Sequence, residues 1–75
     1  MYNTAEIANR IKARAKQQKK TLGDILTVYG LGVNTVTNIK NGKEISYLNF
    51  ARIADELGCS VDYLLGRTDN PEINR

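Results

Sequence analysis

Apolar residues near the start of the chain recur at every fourth position, which is the spacing of one face of an α-helix. This stripe consists of Ile7, Ile11 and Ala15. Asn3 and Glu6 have the spacing of a capping box, in which each side chain satisfies a backbone N–H at the helix start. We therefore predict a first helix that begins near Asn3 or Thr4. Sustained alternation of apolar and polar residues is absent from the sequence, so we expect helices and no strands.

Two short helices are predicted to follow, each bounded by a cap and a glycine. Thr21, with Asp24 three residues later, predicts the start of the second helix. Gly30 predicts its end, because glycine readily adopts the left-handed conformation of a helix C-cap. The third helix is predicted over residues 33–40 and is stopped at Gly42. The inward-facing residues of these two helices are Ile25, Leu26, Tyr29, Val36 and Ile39.

Serine caps predict two further helices. The fourth begins after Ser46 and ends at Gly58, and the fifth begins after Ser60 and ends at Gly66. The predicted apolar face of the fourth helix consists of Leu48, Phe50, Ile53, Ala54 and Leu57. That of the fifth consists of Val61, Leu64 and Leu65. We therefore assign residues 1–66 to one domain and residues 67–75 to a polar C-terminal tail.

The composition narrows the possible functions. The chain has 75 residues, of which 41% are apolar and 25% are charged, the balance of one globular domain. It has no histidine and one cysteine, which excludes an internal disulfide, a histidine general base and the usual zinc site. We expect a protein that is not an enzyme and uses no metal or cofactor. No apolar run approaches the roughly 20 residues of a membrane helix, so we expect a cytoplasmic protein.

Charge is unevenly distributed along the chain. Residues 1–43 carry eight Lys and Arg against two acidic residues, a formal charge of +6. Residues 44–75 carry three against six, a formal charge of −3. A basic front half predicts a surface that faces a polyanion. The alternative is that the lysines only form a solvated helix face and bind nothing.

The exposed side of the predicted third helix is unusual for a helix that serves structure alone. It is occupied mainly by amides and hydroxyls, which are poor helix formers. These positions are Asn34, Thr35, Thr37, Asn38 and Lys40. We infer that they serve something other than folding. The second and third helices then form a helix-turn-helix unit, whose second helix enters the major groove of DNA.

Two stretches of the chain resemble a known family. Residues 21–42 (TLGDILTVYGLGVNTVTNIKNG) resemble the helix-turn-helix of phage-repressor and Cro-type regulators, the XRE family. Residues 53–65 (IADELGCSVDYLL) resemble the closing helices of that family, and the whole resemblance covers about residues 5–66. It implies an all-α, compact five-helix bundle of the lambda-repressor-like type. It also implies binding to operator DNA, commonly as a homodimer on paired half-sites.

The resemblance implies base readout by Val33, Asn34, Thr37 and Asn38. Their chemistry agrees, because asparagine pairs with adenine N6 and N7 and a valine methyl contacts the thymine methyl. For Asn34 the alternative is a local capping role, and for Val33 it is simple packing.

The same resemblance implies phosphate contacts by hydroxyl, amide and basic side chains. The candidates are Thr21, Thr35, Asn41, Lys43, Arg10, Arg14, Lys19 and Lys20. If roughly five phosphates were neutralised, log K would fall with log salt at a slope near −4 to −5. Val61 and Tyr63 are the candidate dimer contacts, with a partly buried surface aromatic as the alternative for Tyr63.

Several positions depart from the family pattern. Leu22 replaces a glutamine that often bonds phosphate, and Leu26 replaces a small residue where the two helices cross. Gly32 replaces the usual Ser or Thr cap of the reading helix, at a cost of a few tenths of a kcal/mol. Lys40 replaces a glutamate whose usual basic partner is here Ala15, so no buried charge is stranded. We expect these changes to keep the fold and to alter how it docks.

These observations together predict a sequence-specific regulator of transcription that binds double-stranded DNA. We favour repression as its action, the homodimer as its form on DNA, and the nucleoid as its place in the cell. The alternative is a protein-interaction module that binds a protein partner, such as the antitoxin of a toxin–antitoxin pair.

Overall fold

Side-chain caps start four of the five helices. The computed structural model describes residues 2–72, and the last residues of the predicted tail, 73–75, lie outside it. At each cap a side-chain oxygen accepts a backbone N–H three residues further on, at 3.0–3.2 Å. The capping residues are Asn3, Thr21, Ser46 and Ser60. The helices are α1 (Thr4–Gln17), α2 (Leu22–Val28), α3 (Thr35–Lys40), α4 (Tyr47–Glu56) and α5 (Val61–Leu65).

The predicted all-α class is confirmed over residues 2–72, which contain no strand. All four capping residues are those that the sequence predicts, and such caps contribute about 1 kcal/mol each. None of the helices in this range combines the length and apolar content needed to cross a membrane.

One core receives the buried faces of all five helices. α1 packs against α3 and α5, and α4 packs against α5 and α2. Cys59 is buried, and this burial raises the pKa of its thiol, so the side chain stays protonated and packs as a small apolar group. The other core residues are Ile7, Ala8, Ile11, Ala15, Ile25, Leu26, Val36, Ile39, Phe50, Ile53, Ala54, Leu57 and Leu64.

Four positions that differ from the family the sequence resembles are accommodated without a buried charge. Leu26 is buried where α2 enters the core, and Leu22 packs against the core from its edge. Ala15 is buried and Lys40 is exposed. Among the described residues, no charged side chain is buried.

Leu48 does not belong to the buried face of α4, and this prediction is wrong. Leu48 is 52% exposed, and its neighbour Tyr47 is 81% exposed. A helix turns by about 100° per residue, so Leu48 projects almost opposite to Phe50, two residues later. The buried side of α4 therefore begins at Phe50 and leaves two large apolar side chains on the surface.

The chain after Gly66 folds back onto the helices. Ser60 donates its backbone N–H to the Pro71 carbonyl at 2.9 Å. The Arg10 guanidinium donates to the Thr68 carbonyl at 3.2 Å. Residues 67–72 are therefore tied to both α1 and the start of α5.

Lys19, in the loop between α1 and α2, has a left-handed backbone with φ = 57°. This conformation costs an L-residue roughly 1–2 kcal/mol, and a glycine avoids most of that cost. We expect Lys19→Gly to raise the free energy of unfolding by about 0.5–1 kcal/mol in urea denaturation. Lys12→Gly, the same change at an exposed position in the interior of α1, is the control and should lower it by about 1 kcal/mol. Equal effects of both changes would contradict the strain at Lys19.

Candidate nucleic-acid interface

Polar and small apolar side chains lie on the turn before α3 and on the side of α3 that faces away from the core. Val36 and Ile39 are buried on the opposite side and join α3 to the core. The polar and small apolar set, which we call the reading face, consists of Val33, Asn34, Thr37 and Asn38. The first three are exposed, and Asn38 is half-buried.

Val33 is 80% exposed, so the packing alternative for this side chain does not hold. Its methyl groups face solvent beside the first turn of α3. An isolated apolar group in this position has nothing in the described chain to cover it.

α3 begins at Thr35 and not at the predicted Val33, because residues 33 and 34 form a turn before it. Thr35 donates both its backbone N–H, at 3.1 Å, and its hydroxyl, at 2.6 Å, to the Gly32 carbonyl. Asn34 occupies the N-cap position, but its side chain makes no capping hydrogen bond. The local capping alternative for Asn34 therefore does not hold, and its amide is directed to no backbone group of this helix.

Thr35 is poorly placed for the predicted phosphate contact. A phosphate oxygen only accepts hydrogen bonds, whereas a threonine hydroxyl has a single proton to donate. In the structure that proton goes to Gly32. Thr35 thus closes the turn that leads into α3.

Lys43 is brought beside the reading face by a reversal of the chain at the end of α3. Gly42 has φ = 83°, a left-handed conformation that favours glycine. The Lys43 N–H then donates to the Asn38 carbonyl at 2.9 Å. An open concavity of about 240 Å³ lies here, lined in part by Thr35, Asn38, Lys43, Ser46 and Asn49.

Asn49 and Ser46 were missed as candidates because the sequence assigns them to the start of α4 alone. Ser46 is the cap of that helix, and the side chain of Asn49 accepts a hydrogen bond from Arg52 at 3.2 Å. The signal that was available is the polar Asn49 between Leu48 and Phe50. Both residues line the same concavity as Asn38.

Three further phosphate candidates have exposed side chains near the two short helices, α2 and α3. Thr21 accepts the Asp24 N–H at 3.2 Å, and its hydroxyl proton remains available for a phosphate oxygen. Lys19 is exposed in the loop just before it, and Asn41 is exposed just after α3. Lys19 and Thr21 thus lie before α2, and Asn41 lies after α3.

Arg14 is directed into the molecule and not towards a ligand. Its Nε donates to the Leu57 carbonyl at 3.0 Å and its Nη2 to the Gly58 carbonyl at 3.1 Å. These contacts close the C-terminal end of α4. We therefore assign Arg14 a structural role in place of the predicted phosphate contact.

Arg10 likewise serves the fold. It donates to the Tyr63 carbonyl at 3.0 Å and pairs with Asp69 at 3.0 Å. The hydrogen bond to Asp69 is the main cause that raises the pKa of the guanidinium. The guanidinium also lies 4.9 Å from the centre of the Tyr63 ring, a cation–π distance. The Arg10 side chain therefore holds the residues that follow α5. Tyr63 is half-buried, which agrees with the alternative of a partly buried surface aromatic.

Lys20 is the third basic candidate that bonds within the chain. Its ammonium contacts the Glu56 carbonyl at 2.7 Å and the Glu56 carboxylate at 3.2 Å. Tyr29 donates its hydroxyl to the same carboxylate at 3.3 Å. Burial, and then the Glu56 charge, raise the pKa of the Tyr29 phenol, so it remains a neutral donor. Glu56 therefore anchors both ends of α2 to α4.

Thr4, the first residue of α1, anchors the C-terminal end of α3. Its hydroxyl donates to the Lys40 carbonyl at 2.9 Å. This carbonyl belongs to the last turn of α3, where backbone acceptors lack partners within the helix. The start of α1 therefore fixes the end of α3.

Comparisons of the chain with models of protein families, with curated proteins and with solved structures found no match.

Proposed function

We propose that this chain is a sequence-specific regulator of transcription that binds double-stranded DNA, with α3 in the major groove. The observation that carries the proposal is the reading face. Its hydrogen-bonding and methyl groups lie on the turn before α3 and on α3 itself, exposed at Val33, Asn34 and Thr37 and half-buried at Asn38, while Val36 and Ile39 are buried in the core. A major groove is about 12 Å wide and admits one α-helix. The proposed action is binding at an operator, which blocks transcription without any catalytic step.

The groups of the reading face match what base edges offer. An asparagine amide donates to adenine N7 and accepts from adenine N6, so Asn34 and Asn38 read adenine. The Val33 methyls contact the thymine methyl, and Thr37 offers both a hydroxyl and a methyl. Asn34 is the strongest of the four because it is exposed at the start of α3 and makes no capping bond.

Phosphate contacts fall in this proposal to Lys43, Lys19, Thr21 and Asn41. Of these only the two lysines neutralise charge, since Arg10, Arg14 and Lys20 bond within the chain. We therefore expect log K to fall with log salt at a slope of about −2 for each bound chain. The lambda-repressor-like arrangement and a homodimer on paired half-sites belong to the same proposal.

Selection of binding sites from random duplexes tests the proposed function. We expect enrichment of one short motif at about 150 mM salt, repeated with two-fold symmetry and a centre-to-centre spacing of roughly 10 base pairs. Recovery of no motif would contradict sequence-specific DNA binding. It would leave the protein-interaction module as the better description.

Lys43→Ala is expected to weaken binding to every duplex by a similar factor and to reduce the salt slope by about one. The physical reason is that a phosphate contact releases one counterion and carries no sequence information. The measurement is a salt titration of binding to the selected half-site and to a scrambled duplex of equal length.

The matched control for Lys43 is Arg67→Ala. It removes one exposed positive charge after α5, where Arg67 lies 3.8 Å from Asp62. It should leave the slope unchanged. A loss at Lys43 that is confined to the selected sequence would contradict its assignment to phosphate.

A further inference from the structure

The sequence contains one Asn-Gly pair, Asn41 and Gly42, and it lies directly after α3. Both residues are exposed. Among residues 2–72, apart from the chain neighbours of Gly42, no heavy atom lies within 4 Å of the point where a Cβ atom on this glycine would stand. The approach to Gly42 is therefore open, and the residue has no side chain of its own to block it.

An asparagine that precedes a glycine can lose its side-chain amide without an enzyme. The backbone nitrogen of the glycine gives its proton to a base and attacks the side-chain carbonyl carbon of the asparagine. A C–N bond forms, the bond to the amide nitrogen breaks, and that nitrogen leaves as ammonia. Water then opens the resulting cyclic imide at either carbonyl carbon, which yields aspartate or isoaspartate. No electrons are exchanged, and water is the only co-reactant consumed.

The closed end of α3 holds this pair in an unreactive conformation. Asn41 has ψ = 7°, which turns the Gly42 nitrogen towards the backbone nitrogen of Asn41 and away from its side chain. The Gly42 N–H donates to the Ile39 carbonyl at 3.0 Å. Attack requires rotation about the Cα–C bond of Asn41, and this rotation breaks that hydrogen bond. The rate of the reaction should therefore follow the fraction of time for which the last turn of α3 is open.

Few contacts keep the last turn of α3 closed. The helix has six residues, which is too short for it to be stable by itself. The Lys43 N–H donates to the Asn38 carbonyl at 2.9 Å. The Thr4 hydroxyl donates to the Lys40 carbonyl at 2.9 Å, and this bond is exposed to solvent. Because helix ends fray first, this turn can open while the core of the protein stays folded.

We propose that Asn41 is a site of spontaneous deamidation, and that its conversion releases the chain from DNA. The release rests on the proposed function, in which Asn41 contacts a phosphate beside Lys43. The product carries a negative charge in place of a neutral amide, so it repels the phosphate that the amide contacted. Chains bound to DNA should convert more slowly than free chains, because bound DNA favours the closed turn.

Mass spectrometry of the full chain, incubated in mildly alkaline buffer without DNA, tests the modification. We expect conversion at Asn41 ahead of Asn9 and Asn38, which lie inside helices and precede larger residues. Aspartate and isoaspartate should both form. Asn41→Gln is the matched variant, because it keeps an amide but its longer side chain closes the ring far more slowly. It should remove this early conversion.

Thr4→Val tests whether the reaction follows the opening of α3. The change keeps the shape of the side chain but removes its hydrogen bond to Lys40, so conversion at Asn41 should accelerate by about 2- to 12-fold. Thr27→Val is the control, since it removes a hydroxyl that bonds the Gly23 carbonyl within α2 at 2.7 Å. It should leave the rate unchanged. Circular dichroism before the incubation checks that both variants are folded.

Asn41→Asp carries the charge of the product and tests the consequence for DNA. We expect it to weaken binding to every duplex by a similar factor and to reduce the salt slope by about one. Asn70→Asp adds the same charge after α5, at an exposed side chain whose oxygen accepts the Glu72 N–H, and should have a smaller effect. Addition of the selected duplex should slow the conversion of the wild-type chain.

The outcomes separate the modification from the proposed function. An Asn41 that converts no faster than Asn9 or Asn38, or equal rates for the Thr4 and Thr27 variants, would overturn the modification site and leave DNA recognition untouched. Conversion at the same rate with and without the duplex, or an Asn41→Asp chain that binds as the wild type does, would overturn the link to DNA. A wild-type chain that converts but binds no duplex would remove the proposed function and retain the modification site.

Discussion

Asn34→Ala is expected to weaken binding to the selected DNA site by about 1–3 kcal/mol, or roughly 5- to 150-fold in the dissociation constant. The amide is exposed at the start of α3 and caps no backbone group, so its loss removes base contacts and leaves the helix intact. Titration of the wild-type and variant chains against the selected duplex measures the effect.

The loss at Asn34 should depend on sequence. Against a duplex in which the contacted adenine is replaced, the wild-type and variant chains should bind alike. Asn9→Ala, at an exposed position of α1, removes the same amide elsewhere and serves as the control. Equal affinity of the Asn34 variant and the wild type for the selected site would remove Asn34 from the readout.

Arg10→Met is expected to lower the free energy of unfolding by about 1.5–3 kcal/mol. The change keeps a long apolar side chain but removes the hydrogen bonds to the carbonyls of Tyr63 and Thr68 and the pair with Asp69. Hydrogen bonds to a charged group are the stronger kind, and this side chain is only 20% exposed. Urea denaturation measures the effect.

Arg67→Met supplies the comparison for Arg10. Arg67 is 59% exposed in its side chain and makes a single long contact of 3.8 Å to Asp62, and such surface pairs contribute little. We expect a change within about 0.5 kcal/mol. An Arg10 variant as stable as the Arg67 variant would show that the contacts of Arg10 do not support the fold.

The helices could be predicted from sequence because their signals are local. Each cap, such as Ser46 with the N–H of Asn49, involves residues three positions apart. The apolar stripe of α1 likewise repeats within one helix. Leu48 was predicted to lie on the buried face of α4 only because it is apolar. Its angular position around the helix axis sets it almost opposite to Phe50.

The roles of the arginines could not be predicted, because their partners are distant in sequence. Arg14 meets Leu57 and Arg10 meets Thr68, 43 and 58 residues further along the chain. A basic side chain on a helix looks the same in sequence whether it meets a carbonyl group or solvent. Only the tertiary packing decides between the two, because it places the end of α4 beside Arg14 and the residues from Tyr63 onwards beside Arg10.

The start of the reading helix was predicted two residues too early for a different reason. Gly32 lacks a capping side chain, and the sequence gives no strong boundary between it and Val36. In the structure the boundary comes from Thr35, whose hydroxyl closes the turn on Gly32. This frees Val33 and Asn34 from the helix and leaves both exposed.

The fold-back of residues 67–72 changes what counts as the cooperative unit of this protein. A fragment cut after Gly66 would retain all five helices but lose the acceptors on Thr68 and Pro71. The guanidinium of Arg10 and the backbone N–H of Ser60, the N-cap of α5, would then need water as a partner. Residues 67–72 therefore hold α5 in place, and their loss should loosen α5 together with Leu65, which packs from this helix against the core.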